Sequence, residues 1–122
     1  HGERQLLNFG HTVGHALERL SGYELSHGQA VAIGMAVMAR ASVRRGLCTA
    51  EEAGLLVGMM HTLGLPTDCP YGLDEVFDAM QADKKRGGQA ITLVLMHAIG
   101  DCRLYPMPMV EARDVVAAGC RS

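Results

Sequence analysis

Apolar positions near the start of the chain recur at helical spacing. Leu6, Phe9, Val13, Ala16, Leu17 and Leu20 fall within roughly 100° of one another on a helical projection. That pattern predicts a first helix from about Glu3 to Leu20, ending at Ser21-Gly22. A second helix is predicted from about Gly28 to Arg45, stopped by Gly46, with Arg44 and Arg45 in the last turn where cations complement the helix dipole. Its charge-free stretch, Gly28 to Ala39, is too short to span a bilayer and reads as a buried helix. Thr49-Ala50-Glu51-Glu52 is a capping-box pattern opening a third helix that ends near Gly64 and Pro66. After the turn-rich TDCPYG, a fourth and shorter helix covers about Leu73 to Asp83.

The pattern then changes period. KKRGG is a basic loop, followed by AITLVLM, a short apolar run with β-branched residues that predicts a strand. IGD turns the chain into CRLYPM, the hairpin partner, and Pro108 can start a last helix over about Met109 to Gly119. The expectation is a mainly α fold, a helical domain with one small β-hairpin and no internal repeats.

Opposite the apolar stripe of the first helix lies a second one. With Arg4 taken as zero, Asn8, His11 and His15 fall within about 40° of it. Such a stripe fits a solvated face or a chemical site. Solvated faces usually carry Glu and Lys, which are good helix formers, and none of these four residues is either. Gly10 and Gly14 flank the stripe, where close helix packing is the expected role.

Composition narrows the classes of function. With 122 residues the chain is long enough to bury one core without staples, and a formal net charge of −2 offers no general field for nucleic acid. The four cysteines (Cys48, Cys69, Cys102 and Cys120) are scattered, which fits reduced thiols in a cytoplasmic protein better than disulfides or a thiolate zinc site. No signal peptide or membrane span is read, and no Gly-rich dinucleotide or P-loop motif occurs. The chain opens at His1, not methionine, so the expectation is one domain over residues 1–122, part of a longer protein.

Three places carry candidate chemistry. His27 in LSHGQAVAIGM precedes a helix, and the short loop before it makes the first two helices neighbours. His11 and His27 can then converge on one cation, although catalytic zinc usually takes three protein ligands. The H-x-x-x-H spacing of His11 and His15 is that of a metalloprotease, but Thr12 stands where such an enzyme needs its glutamate base. Lys84, Lys85 and Arg86 beside two glycines can bind phosphate or carboxylate, or form a solvated loop. The cysteines, the methionines, His61 and His97 read as core or surface filler.

RQLLNFGHTVGHALE, HGQAVAIGM, DKK and ITLVLMHAIG occur in the order and at the spacing of the 3-dehydroquinate synthase C-terminal domain, which the chain resembles throughout. The resemblance implies an absent N-terminal domain that binds NAD⁺, a cleft between the two domains, and a divalent metal, Zn²⁺ (or Co²⁺). It implies conversion of the sugar phosphate 3-deoxy-D-arabino-heptulosonate 7-phosphate to 3-dehydroquinate and phosphate, in the shikimate pathway. By matching position, His11 and His27 are implied as metal ligands, with a third, a glutamate, in the absent domain. His15 and Lys84 are implied as catalytic, and Arg4, Asn8, His15, Lys84 and Lys85 as substrate-binding. Other sugar-phosphate cyclases share the metal histidines and remain the alternative. A non-catalytic module is the other: the isolated chain is expected to be inactive, and its uncovered face to favour a homodimer. Gln29 departs from the family glutamate, and the expectation is weaker metal binding through a lost supporting carboxylate.

Overall fold

The computed structural model describes residues 10–83 and 90–120. Among them the chain runs α1 (His11–Leu20), α2 (His27–Arg44), α3 (Ala50–Thr62), α4 (Leu73–Asp83), β1 (Ala90–Ala98), β2 (Asp101–Pro108) and α5 (Met109–Cys120). The helical domain with one hairpin is therefore as expected.

The α2 helix forms the centre because its side chains are small on nearly every face. Ala30, Ala36, Ala39 and Ala41 are fully buried, with Ile33, Val37 and Met38 filling the space between neighbours. Around it pack α1, α3, α5 and β1, and α4 lies against α1. Glycines set the closest approaches. A Cβ at Gly34 would overlap the carbonyl oxygen of Gly10, and one at Gly14 would stand 3.1 Å from Val31 Cα. The expected role of Gly10 and Gly14 in tight helix packing is thus observed. The end of α5 meets the other side of α2 in the same way, since a Cβ at Gly119 would overlap the Val37 carbonyl.

The first helix differs from the prediction. Gly10 stands at its N-cap with φ 82, a left-handed conformation that ends right-handed helical geometry, so no single helix runs from Glu3 to Leu20. Residues 1–9, with Arg4, Asn8, Leu6 and Phe9, lie outside the described residues. Val13, Ala16 and Leu17 are fully buried, as the apolar stripe requires. The other ends agree within about two residues. Thr49 Oγ1 accepts the Glu52 N–H at 3.1 Å, the cap its pattern predicts.

The hairpin pairs Ala90 with Pro108 through to Ala98 with Asp101, with an irregularity between Met96 and Ala98. Gly100, at φ 87, makes the turn. Ser42 ties the hairpin to the central helix: its buried hydroxyl donates to Met38 O at 2.7 Å and accepts the Met96 N–H at 2.9 Å.

Candidate functional site

Histidines from two helices meet at one end of the domain. His11 and His15 sit one turn apart on α1, half-buried and exposed respectively. The chain leaves α1 through a tight loop: Gly22 and Tyr23 adopt φ 64 and φ 67, and the Tyr23 N–H donates to Glu18 O at 2.9 Å. Ser21 Oγ donates to Glu18 O at 3.0 Å and accepts the Leu25 N–H at 3.2 Å, closing the loop on itself. That closure brings His27, the first residue of α2, back over α1. The imidazole centroids of His11 and His27 stand 5.5 Å apart, and His15 lies 5.9 Å from each.

Glu18 joins the three. Its Oε1 lies 3.2 Å from Nδ1 of His27 and 3.3 Å from Nδ1 of His15. The Glu18 side chain is 13% exposed, against 57% and 58% for the two histidines, so the carboxylate sits beneath the imidazoles. An anionic acceptor at Nδ1 holds a proton there and leaves Nε2 with its lone pair, the tautomer a metal ligand or proton acceptor needs. Sequence reasoning missed this residue. It was legible, because Glu18 is seven positions from His11 and falls on the same helical stripe.

The surroundings of His11 favour its neutral form. Burial, and then the charges of His27 and His15 when protonated, hold its pKa below the ordinary 6.5, with Glu18 acting in the opposite sense. His11 therefore keeps a free lone pair to lower pH than an isolated imidazole does.

The arrangement can be tested against a divalent cation. With metal–nitrogen bonds of about 2.0–2.1 Å, two imidazoles on a tetrahedral ion have centroids about 5 Å apart. The His11–His27 spacing of 5.5 Å is the nearest of the three to that figure. Among the described residues no group of three His, Cys, Asp or Glu side chains is arranged to hold a metal ion. His11 and His27 would form a partial set that fits such an ion when a further ligand completes it.

Gln29 has a different partner from the one expected. Its Oε1 accepts the Ser26 N–H at 3.0 Å while Ser26 Oγ accepts the Gln29 N–H at 3.1 Å, a complete capping box at the start of α2. A glutamate would make the same bonds. Among the described residues the carboxylate beside Nδ1 of His27 is Glu18, and the Gln29 side chain is engaged in the helix cap. Lys84 and Lys85 lie outside the described residues. Of the other histidines, His61 Nε2 bonds Thr67 Oγ1 at 2.7 Å and His97 bonds the Tyr105 hydroxyl, so neither joins the site.

An apolar surface adjoins the imidazoles. A groove of about 360 Å³ between α2 and α3 is lined by His27, Met35, Met59 and Leu63 among others. Met59 and Leu63 on its lining are 50% and 75% exposed, and Leu55, outside the groove on the same helix, is 60% exposed. Among the described residues no helix is long and apolar enough to cross a membrane.

Residues 1–86 match the family described as 3-dehydroquinate synthase C-terminal. The 3-dehydroquinate synthase of Syntrophotalea carbinolica is 50% identical over 101 residues, covering 81% of this chain and 28% of that protein. That of Streptococcus suis is 41% identical over 112 residues, covering 90% of this chain and 32% of that protein. The chain thus spans about a third or less of the length of these relatives. Among solved structures, 2-epi-5-epi-valiolone synthase from Streptomyces hygroscopicus, with NAD⁺ and Zn²⁺ bound, aligns with a TM-score of 0.75 at 30% identity, covering 93% of this chain and 32% of that one. A 2-deoxy-scyllo-inosose synthase complexed with carbaglucose-6-phosphate, NAD⁺ and Co²⁺ gives 0.75 at 23% identity, covering 90% and 32%.

Proposed function

Since this chain belongs to the 3-dehydroquinate synthase C-terminal family, we propose that it is the metal- and substrate-binding domain of a 3-dehydroquinate synthase. The reaction assigned to the whole protein is conversion of 3-deoxy-D-arabino-heptulosonate 7-phosphate to 3-dehydroquinate and phosphate, in the cytoplasm, with NAD⁺ held mainly by a further domain. The observation that carries this reading is the convergence of His11, His15 and His27 over one carboxylate, with centroids 5.5 to 5.9 Å apart.

His11 and His27 would hold the divalent metal, which when bound supplies Lewis acidity for deprotonating an alcohol and stabilising a ketone near neutral pH. His15 accepts and returns a substrate proton at Nε2, while its Nδ1–H rests on Glu18. Glu18 orients both flanking imidazoles and neutralises positive charge that develops on them. Lys84, Lys85 and Arg4 would meet the phosphate and carboxylate by charge-assisted hydrogen bonds, and Asn8 a hydroxyl. Of the two lysines, Lys84 is assigned the catalytic contact with the substrate's anionic groups.

The exposed apolar surface of Met59 and Leu63 adjoins His27 through the α2–α3 groove and continues to Leu55 on α3. It is assigned to contact with the rest of the same protein, because the chain spans so little of its relatives' length. The isolated chain therefore has no turnover of its own.

The test is NAD⁺-dependent phosphate release by the full-length protein, with the heptulosonate phosphate and with sedoheptulose 7-phosphate as rival substrates. Release from the first alone is expected. His11→Ala and His27→Ala should each remove bound metal and activity, whereas His15→Ala should keep the metal and lose turnover. The likeness in fold to the valiolone and inosose synthases favours another sugar-phosphate cyclase as the second reading. Turnover of sedoheptulose 7-phosphate in place of the heptulosonate would establish a valiolone-type cyclase instead.

A further inference from the structure

The left-handed turn at Gly10 divides the apolar stripe in two. Downstream of it, Val13, Ala16 and Leu17 are fully buried. Upstream, Leu6, Leu7 and Phe9 put three large apolar side chains within four positions. A φ of 82 at Gly10 breaks the helical repeat that would carry them onto the surface Val13 and Leu17 use. They need another place out of water.

Gly10 marks where such a place begins. It lies so close on α2 that a Cβ there would overlap the backbone nitrogen and Cγ of Met35. Met35 in turn lines the groove between α2 and α3, with His27, Met59, Met60 and Leu63. The chain therefore enters α1 at the edge of this groove, and Phe9 is one Cα step, about 3.8 Å, from Gly10. Apart from His27, the described lining is apolar, and its three methionines are side chains that adapt to, and favour contact with, an aromatic ring.

We propose that Phe9, with Leu6 beside it, occupies the α2–α3 groove, and that this seat holds Asn8 at the edge of the histidine cluster. The seat deepens, and rests on, the assignment of this surface to the rest of the same protein, of which the segment leading into α1 is the part nearest the groove. The outer part of the surface, at Leu55, is left to the remainder. Asn8 adjoins Phe9 and precedes His11 by three residues, so an anchored ring removes much of the freedom its amide would have. Phe9 is then a positioning residue, acting on substrate only through Asn8.

Alkylation of the full-length Met59→Cys variant tests this, with peptide mapping to separate the new thiol from the native ones. Adding Phe9→Ala should speed its reaction roughly 10–100-fold, the protection a buried phenyl ring provides, whereas Phe9→Leu should keep most of that protection. Fast reaction with and without Phe9→Ala means an open groove, and overturns both the proposal and the assignment beneath it. Slow reaction in both means a cover other than Phe9, so the proposal falls while the assignment stands. A second measurement does not need Phe9→Ala to fold: in Phe9→Cys, Met59→Cys a short bismaleimide should join the two positions within one chain. No bridge overturns the proposal, and a bridge between chains makes a second copy the occupant instead. Phe9→Ala should also raise KM for the substrate turned over about tenfold with bound zinc unchanged. An unchanged KM overturns the positioning of Asn8.

Discussion

Replacing Glu18 by alanine tests the reasoning about the histidine cluster most directly. Glu18 is the acceptor at 3.2 Å for Nδ1 of His27 and at 3.3 Å for Nδ1 of His15. Without it, the His27 ring, 58% exposed, has two flip states and two tautomers open to it. One of the four presents the Nε2 lone pair correctly, so the competent fraction falls about fourfold. Loss of the carboxylate also lowers ligand basicity, and removing such a supporting partner typically costs 10–100-fold in metal affinity. The expected total is about 1.4–2.7 kcal/mol, one to two decades in dissociation constant. Glu18→Gln keeps an acceptor oxygen but not the charge, and should fall between. Competition of the full-length protein against a chelating dye for zinc reads the constant directly, with circular dichroism to check folding. Equal zinc affinity in the unsubstituted protein and folded Glu18→Ala would refute the assignment.

Four other outcomes follow from the same geometry. Gln29→Ala should lower stability by about 0.5–1 kcal/mol, and Gln29→Glu should raise it by about 0.3–1 kcal/mol through its charge at the helix N-terminus; urea unfolding measures both, with zinc affinity nearly unchanged in either. Gly34→Ala should destabilise by about 3 kcal/mol, because the new methyl meets the Gly10 carbonyl and no flexible side chain can yield. Since His11 follows Gly10, that variant should also bind zinc less tightly at temperatures where it remains folded. Cys102 gives an alkaline signature: unfolded, its thiol ionises above about 9, and folded, not until about 11. Its contribution to stability is full below pH 9 and falls as pH rises to 11, by about 2–3 kcal/mol, and Cys102→Ala should flatten that slope in denaturant titrations across this range.

Much of the architecture could be read along the chain because it rests on short-range rules. Thr49 caps α3 through a residue three positions away, and Gly46, Gly64 and Gly100 mark ends and turns that need positive φ. Period-two burial in Ile91 and Leu93 gives way to a continuous buried run through Met96, where β1 is covered by α2 and α5. The error lay in α1, where the apolar repeat continues smoothly through Gly10 although the backbone there turns left-handed. Periodicity reports which side chains are apolar; it does not report the φ of a glycine between them.

At the site, the two histidines on α1 and the one before α2 were apparent from spacing, and their family likeness from the motif they sit in. Three relations were not. Glu18 was on the stripe, but its contact with His27 depends on how the 21–26 loop folds back. Gln29 could serve a metal or a helix end, and only the closeness of Ser26 chooses the cap. Thr67 and Gly119 stand far apart in the chain, and their carbonyls meet on the one guanidinium of Arg40. The common cause is range. Caps, turns and amphipathic faces act over a few residues and leave their mark in local order. Convergence across loops is set by the packing of whole elements on α2, and no neighbouring residues record it.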